Sequence, residues 1–206
     1  MKIGLLGGSF NPIHNGHLTI AEFVLNSQNI NEIWFLPTGK HPFKENHNLI
    51  SFEQRFSLVQ KAISDNHYFK VKNFDNSDGR INYTDDLIKK IRRKYPLDEF
   101  YFIIGEDNVE ELQFWHNYRW LLDNINFIVL SRNSKLKSDW KSLDYIKKFK
   151  FVKMIPINIS STQIRSKIFA GESIKSLVPN FLENEIIELY LKMMKPQIYT
   201  KKKFNI

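Results

Sequence analysis

Two histidines, His14 and His17, lie in the stretch Gly-Gly-Ser-Phe-Asn-Pro-Ile-His-Asn-Gly-His that runs from Gly7 to His17. It follows an apolar run and precedes a segment with helical spacing. Gly7 and Gly8 carry no side chain, so backbone there can approach a bulky anion. Pro12 restrains Asn11 to an extended conformation and makes the turn rigid. A helix opening after Asn15 offers free N–H groups and a positive dipole end. His14 in the turn and His17 in the first helical turn can converge on one point, where imidazoles donate to phosphate. The pair could also hold zinc, but no third ligand at metal spacing accompanies it. The stretch is neither the G-x-G-x-x-G fingerprint nor the P-loop with its lysine.

A second constellation, Ile-Ser-Ser-Thr-Gln-Ile-Arg, occupies 159–165. Ser160 with Gln163 forms a capping-box pattern, which is an ordinary way to begin a helix. That reading leaves Thr162 and Arg165 unexplained. A hydroxyl-rich helix start (Ser160, Ser161, Thr162) backed by an arginine can grip phosphate oxygens.

These groups must be positioned by the elements around them. Runs 2–6, 32–37, 68–74, 100–105, 126–131 and 151–157 read as strands. Helical spacing covers about 15–27, a segment with Phe52, Phe56, Val59 and Ile63 on one face, a segment with Leu87, Ile88, Ile91 and Tyr95, then 138–149, 161–170 and 181–193. Such alternation predicts an α/β fold, a doubly wound parallel sheet with helices on both faces. Ligands in these sheets bind beyond the carboxyl ends of the strands. Both constellations fall there, as do the polar loop 38–51 and Gly-Glu-Asp at 105–107. Residues 1–195 read as one domain and 196–206 as a basic tail.

The chain has 206 residues, 42% hydrophobic and 14% aromatic, enough for a packed core. It has no cysteine, so disulfides and thiolate metal sites are excluded, and a reducing, cytoplasmic location is expected. No signal-peptide pattern is evident, and no apolar stretch reaches the ~18 residues of a membrane span. The formal charge of +8 fits a solvated lysine-rich surface or an anionic partner. The lysines are diffuse, and no aromatic-interleaved RNA-binding signature or zinc-finger spacing is present, so no nucleic-acid partner is expected.

The first stretch resembles the GxFxPxHxGH signature of the nucleotidyltransferase superfamily, with Asn11 where aspartate is more usual. The second resembles its ISSTxIR motif. The resemblance implies a Rossmann-like fold and an ATP site built from Gly7, Gly8, Ser9, Phe10, His14, His17, Ser160, Ser161, Thr162 and Arg165. Of these, His14, His17 and Arg165 are implied as the catalytic groups. Further segments are similar to nicotinate-nucleotide adenylyltransferases. Residues 101–122 resemble their G-x-D…W segment. Gly105 and Asp107 are thereby implied on the nucleotide, and Trp115 on the pyridine ring. Glu106 stands where that family has a small residue. Residues 81–91 resemble the S-Y-T-x-D-T-L segment, implying that backbone groups of Thr84 meet the nicotinate carboxylate. Lys44 in the loop 36–44 and Arg132 after the strand at 126–131 are implied on the mononucleotide.

The resemblance covers most of residues 1–192. It implies ATP and nicotinate mononucleotide as substrates, Mg²⁺ carried with ATP, and no metal held by the protein itself. Pantetheine-phosphate adenylyltransferases share both phosphate motifs but are usually shorter and lack the G-x-D…W segment. Cytidylyltransferases fit less well for the same reason. A non-catalytic basic nucleic-acid-binding domain explains the charge but neither motif. Nothing in the sequence indicates an oligomeric state.

Overall fold

The structure, a computed structural model, describes residues 1–39, 49–74, 83–131, 143 and 145–193 with their side chains, and 194–201 as backbone. Its strands are β1 (Lys2–Gly8), β2 (Glu32–Pro37), β3 (Phe69–Val71), β4 (Glu99–Gly105), β5 (Asn126–Ser131) and β6 (Phe149–Lys153). They form one parallel sheet in the order β3-β2-β1-β4-β5-β6. The helices are α1 (Asn15–Ser27), α2 (Phe52–Ala62), α3 (Thr84–Lys94), α4 (Asn108–Glu111), α5 (Tyr118–Asn124), α6 (Ser161–Phe169) and α7 (Glu183–Lys201). The expected doubly wound α/β class is therefore the one observed. The strand order reverses between β1 and β4, which opens the crevice where such sheets bind ligands.

Alternation along each strand feeds two cores. On one face Leu6, Ile33, Phe35, Ile103 and Ile128 pack beneath α1, α2, α6 and α7. On the other, Ile3, Leu5, Trp34, Phe102, Phe127 and Val129 pack beneath α3, α4 and α5. Gly4 faces the first core, and a Cβ there would lie 2.6 Å from Ile33 Cδ1. A side chain at that point would have to displace the Ile33 and Ile103 tips.

Some expectations shift. α1 begins at Asn15, with His14 as its N-cap, because the Asn15 amide is drawn away to Ser176 O (2.7 Å) and Val178 O (3.2 Å). The buried face of α2 is Arg55, Leu58 and Val59, while Phe52 and Phe56 are half-buried. The helix expected over 138–149 is, in its described part, a 3₁₀ turn at Ile146–Lys148, and β6 starts at Phe149 rather than at 151. Pairing with β5 from Phe127 onward decides that start. α7 continues to Lys201, so the first residues of the expected tail are helical backbone. Among the described residues no helix is long and apolar enough to cross a membrane.

Candidate active site

β1 ends at Gly8, and the chain turns sharply through Phe10, which adopts a left-handed φ of 45°. A buried non-glycine residue in this region is strained, and strain of that kind concentrates at functional turns. The Phe10 ring explains Gly8: a Cβ at Gly8 would meet it at 3.3 Å. The same ring stands edge-on to His17, with centroids 4.9 Å apart. His17 in turn stacks on His14 at 3.6 Å. Gly16 makes that stack possible, since a Cβ there would lie 3.0 Å from His14 Nδ1. The glycine between the histidines is thus a packing requirement.

Both imidazoles are neutral near pH 7. Burial pushes His14 down to about 4. Burial, and then the proximity of His14, hold His17 well below the ordinary value. The backbone N–H of His14 donates to His17 Nδ1 at 3.3 Å. In a neutral ring the proton of His17 therefore sits on Nε2, where it can be donated to a ligand. His14 Nδ1 is buried without a hydrogen-bond partner among the described residues. An orphaned polar atom of this kind is costly unless a ligand completes it.

α6 meets this turn directly. Ser160 caps α6 by accepting from the Gln163 N–H at 3.1 Å. Ser161 Oγ donates to Pro12 O at 2.9 Å. Arg165 donates to Asn11 O at 2.8 Å and to Thr162 Oγ1 at 3.2 Å. The two motifs, far apart in sequence, are one piece of structure. One guanidinium N–H group of Arg165 holds the turn at Asn11 O and another holds Thr162 within α6, so this arginine positions the loop as well as presenting charge.

Three residues passed over in sequence support the site, Arg55 and Tyr190 at this turn and Asp85 across the sheet. Arg55, 1% exposed, donates to Ser9 O (2.6 Å), Thr38 O (2.8 Å) and Ile50 O (3.2 Å). Tyr190 of α7, fully buried, donates to Asn11 Oδ1 at 2.6 Å, and the Ile50 N–H reaches the same oxygen at 3.3 Å. Asp85 is fully buried at the start of α3. An arginine on the apolar stripe of α2 was the one legible signal. Tyr190 and Asp85 read as an ordinary core aromatic and an ordinary first-turn acid.

Across the β1–β4 crevice, Gly105 ends β4 and exposed Asp107 follows as the N-cap of α4. Glu106 turns inward, where Ser131 Oγ donates to its carboxylate at 2.6 Å. The unusual acid is thereby tied to the end of β5. Trp115 is half-buried, edge-on to Phe102 at 6.2 Å, and Phe102 also lies 3.4 Å from where a Gly7 Cβ would be. Thr84 is the first residue of α3, whose N-cap Tyr83 supplies no side-chain cap. Its neighbour Asp85 joins it to the Trp115 turn through His116 and Asn117. Lys44 and Arg132 lie outside the described residues. Among the described residues no group of three or more His, Cys, Asp or Glu side chains could hold a metal ion.

Residues 5–167 match the Cytidylyltransferase-like family. Among curated relatives, a Bacillus pumilus protein named "Probable nicotinate-nucleotide adenylyltransferase" is 35% identical over 190 residues, covering 92% of this chain and 97% of its own length. An Oceanobacillus iheyensis protein of the same name is 39% identical over 179 residues, covering 87% and 90%. Among solved structures, Plasmodium falciparum nicotinic acid mononucleotide adenylyltransferase complexed with NaAD superposes with a TM-score of 0.74 at 22% identity, over 94% of this chain and 96% of that one. The same enzyme complexed with APC gives 0.72 at 22% identity, over 93% and 95%. A sheet reversing between β1 and β4, a histidine-bearing turn hydrogen-bonded through Pro12 O to the serine-rich start of α6, and relatives matched along nearly their whole length agree: the chain belongs to the nicotinate-nucleotide adenylyltransferases of the Cytidylyltransferase-like family.

Proposed function

We propose that this chain joins ATP to nicotinate mononucleotide, giving deamido-NAD and pyrophosphate, a step of NAD biosynthesis in the cytoplasm. The observation that carries the reading is the pair of neutral, stacked imidazoles, His14 buried and His17 half-buried, between the end of β1 and the start of α6. Neutral donors at two converging helix N-termini suit a polyphosphate.

The mononucleotide's 5′-phosphate oxygen attacks the α-phosphorus of ATP in line. The new bond is oxygen to α-phosphorus, and the bond from α-phosphorus to the bridging oxygen breaks. Pyrophosphate leaves with that electron pair. The nucleophile belongs to the substrate, so no covalent enzyme intermediate is needed, and catalysis is positioning plus charge stabilisation. His17 Nε2–H and His14 would donate to triphosphate oxygens, and the N–H groups opening α6, with Thr162 and Arg165, would hold the departing pyrophosphate. Gly7 and Gly8 would let the nucleotide lie against β1, with Asp107 at its ribose. Trp115, Thr84, Lys44 and Arg132 would receive the mononucleotide. Mg²⁺ would arrive with the triphosphate, held by phosphate oxygens and water, and would offset their charge.

The test is pyrophosphate release from ATP with nicotinate mononucleotide, nicotinamide mononucleotide or phosphopantetheine as acceptor. Nicotinate mononucleotide is expected to win over its amide by at least tenfold, since each mismatched buried donor costs about 1–3 kcal/mol. Turnover confined to phosphopantetheine would overturn the acceptor assignment. Nucleic-acid binding with no turnover would overturn the enzyme.

A further inference from the structure

Asp85 is the one carboxylate among the described residues that is fully buried. It stands at the position that the S-Y-T-x-D-T-L pattern leaves open. Its partners come from two elements. Within α3, Lys89 Nζ lies 2.7 Å from Oδ2. From the turn that follows Trp115, His116 Nδ1 lies 2.9 Å from Oδ1, and Asn117 Nδ2 lies 3.2 Å from Oδ2. Burial alone would raise its pKa. The hydrogen bonds from Lys89, His116 and Asn117 outweigh burial and hold the carboxyl below its usual range. An ionised carboxylate only accepts, so His116 must present Nδ1–H to it.

Two further contacts tighten the same joint. The His116 ring stacks on Tyr83, the N-cap of α3, with centroids 4.3 Å apart and planes 20° from parallel. Asn117 adopts a left-handed φ of 53°, a conformation in which its side chain reaches Asp85. The Trp115–Asn117 turn is therefore clamped to the first turn of α3 between Tyr83 and Asp85. Thr84 lies between those two residues. The first intrahelical bond of α3 runs from the Leu87 N–H to Tyr83 O, so the Thr84, Asp85 and Asp86 N–H groups precede the helical ladder.

A buried charge is a poor way to gain stability, because well-packed apolar residues often do as well. What this one contributes is a fixed relation between two loops. We propose that Asp85 is a positioning residue of the acceptor subsite: through His116 and Asn117 it holds the Trp115 ring in register with the N-terminus of α3, and so sets recognition of a pyridine ring bearing a carboxylate. The proposal rests on the function given above.

The experiment compares wild type with Asp85→Ala, Asp85→Asn, His116→Ala and the double variant Asp85→Asn/His116→Ala. It measures kcat, KM for each substrate, and equilibrium binding of nicotinate mononucleotide by calorimetry. Asp85→Ala is expected to raise KM for the mononucleotide about tenfold or more, with KM for ATP within about twofold. Asp85→Asn should recover much of the loss, because its amide can donate to His116 and accept from Lys89 or Asn117. The double variant should be no worse than the poorer single one, since both act on one joint. Should Asp85→Ala fail to fold, the half-exposed His116→Ala carries the test, with the same selective rise in KM for the mononucleotide expected. Equal rises in KM for both substrates in step with a lower Tm, or unchanged mononucleotide binding in His116→Ala, would overturn the positioning role alone. Wild type that neither binds nor adenylylates nicotinate mononucleotide would overturn the function, and this proposal with it.

Discussion

The stacked imidazoles make a quantitative prediction about acid. His14 is 6% exposed and its folded value lies at about 4, against about 6.5 in an unfolded chain. The folded state therefore binds that proton less well than the unfolded state. The stability tied to neutral His14 is complete above about pH 6.5 and is lost as pH falls toward 4. Proton linkage between these values gives a loss of about 2 kcal/mol between pH 7 and pH 5 from His14 alone. His17, lowered in the same direction, adds to it. At about 2 kcal/mol per molar of urea, the unfolding midpoint should fall by roughly 1 M or more over this interval. Asp85, held below its usual range, loses its stabilising charge only at lower pH, so the window reports mainly on histidines. Urea titrations at pH 7 and pH 5, on wild type and His14→Gln, are the assay. The variant should be the less pH-sensitive protein. An identical midpoint at both pH values, or the same shift in His14→Gln, would show that the pair is not buried in its neutral form.

Other consequences follow from the same geometry. His17→Ala should lower kcat by about 10²–10³-fold with little change in Tm, as expected for a preorganised donor to a developing charge; near-normal turnover would exclude that role. Arg165→Lys should weaken ATP use, since an ammonium cannot serve Asn11 O, Thr162 and a phosphate in one fork; an unchanged kcat/KM for ATP would contradict it. Tyr190→Phe should destabilise by about 1–3 kcal/mol, because Asn11 Oδ1 loses its shortest hydrogen bond in a buried site; thermal unfolding reads this directly. Gly16→Ala should push the His14 ring out of its stack and cost roughly tenfold in kcat/KM for ATP; stopped assays over an ATP series measure it.

Much of the site lies in the sequence because its chemistry is local. Gly7-Gly8 after a strand, His14-Asn15-Gly16-His17 at a helix start, and Ser160-Ser161-Thr162 at another are short-range patterns; α6 opens where its pattern places it, while β1 runs on through Gly7 and Gly8 and α1 takes His14 rather than Asn15 as its cap. Strands β2 and β5 match their expected spans because apolar β-formers bounded by polar residues and proline leave little choice. The alternation of elements likewise predicted the parallel sheet. Tertiary structure alone decided which distant groups meet. Asn15 is a helical residue rather than a cap because carbonyls at 176 and 178 claim its amide. Arg55 is buried because three loop carbonyls converge on it. Tyr190 matters because its hydroxyl meets Asn11 across nearly the whole chain. Asp85 and Asp86 are identical in type and adjacent in sequence, yet one is fully buried and the other is half-exposed, with its carboxylate 3.5 Å from Lys89. Local periodicity reports which face of an element is apolar. It carries no record of which polar group on another element will stand opposite, and that is what turns a buried acid into a joint between two substrate loops.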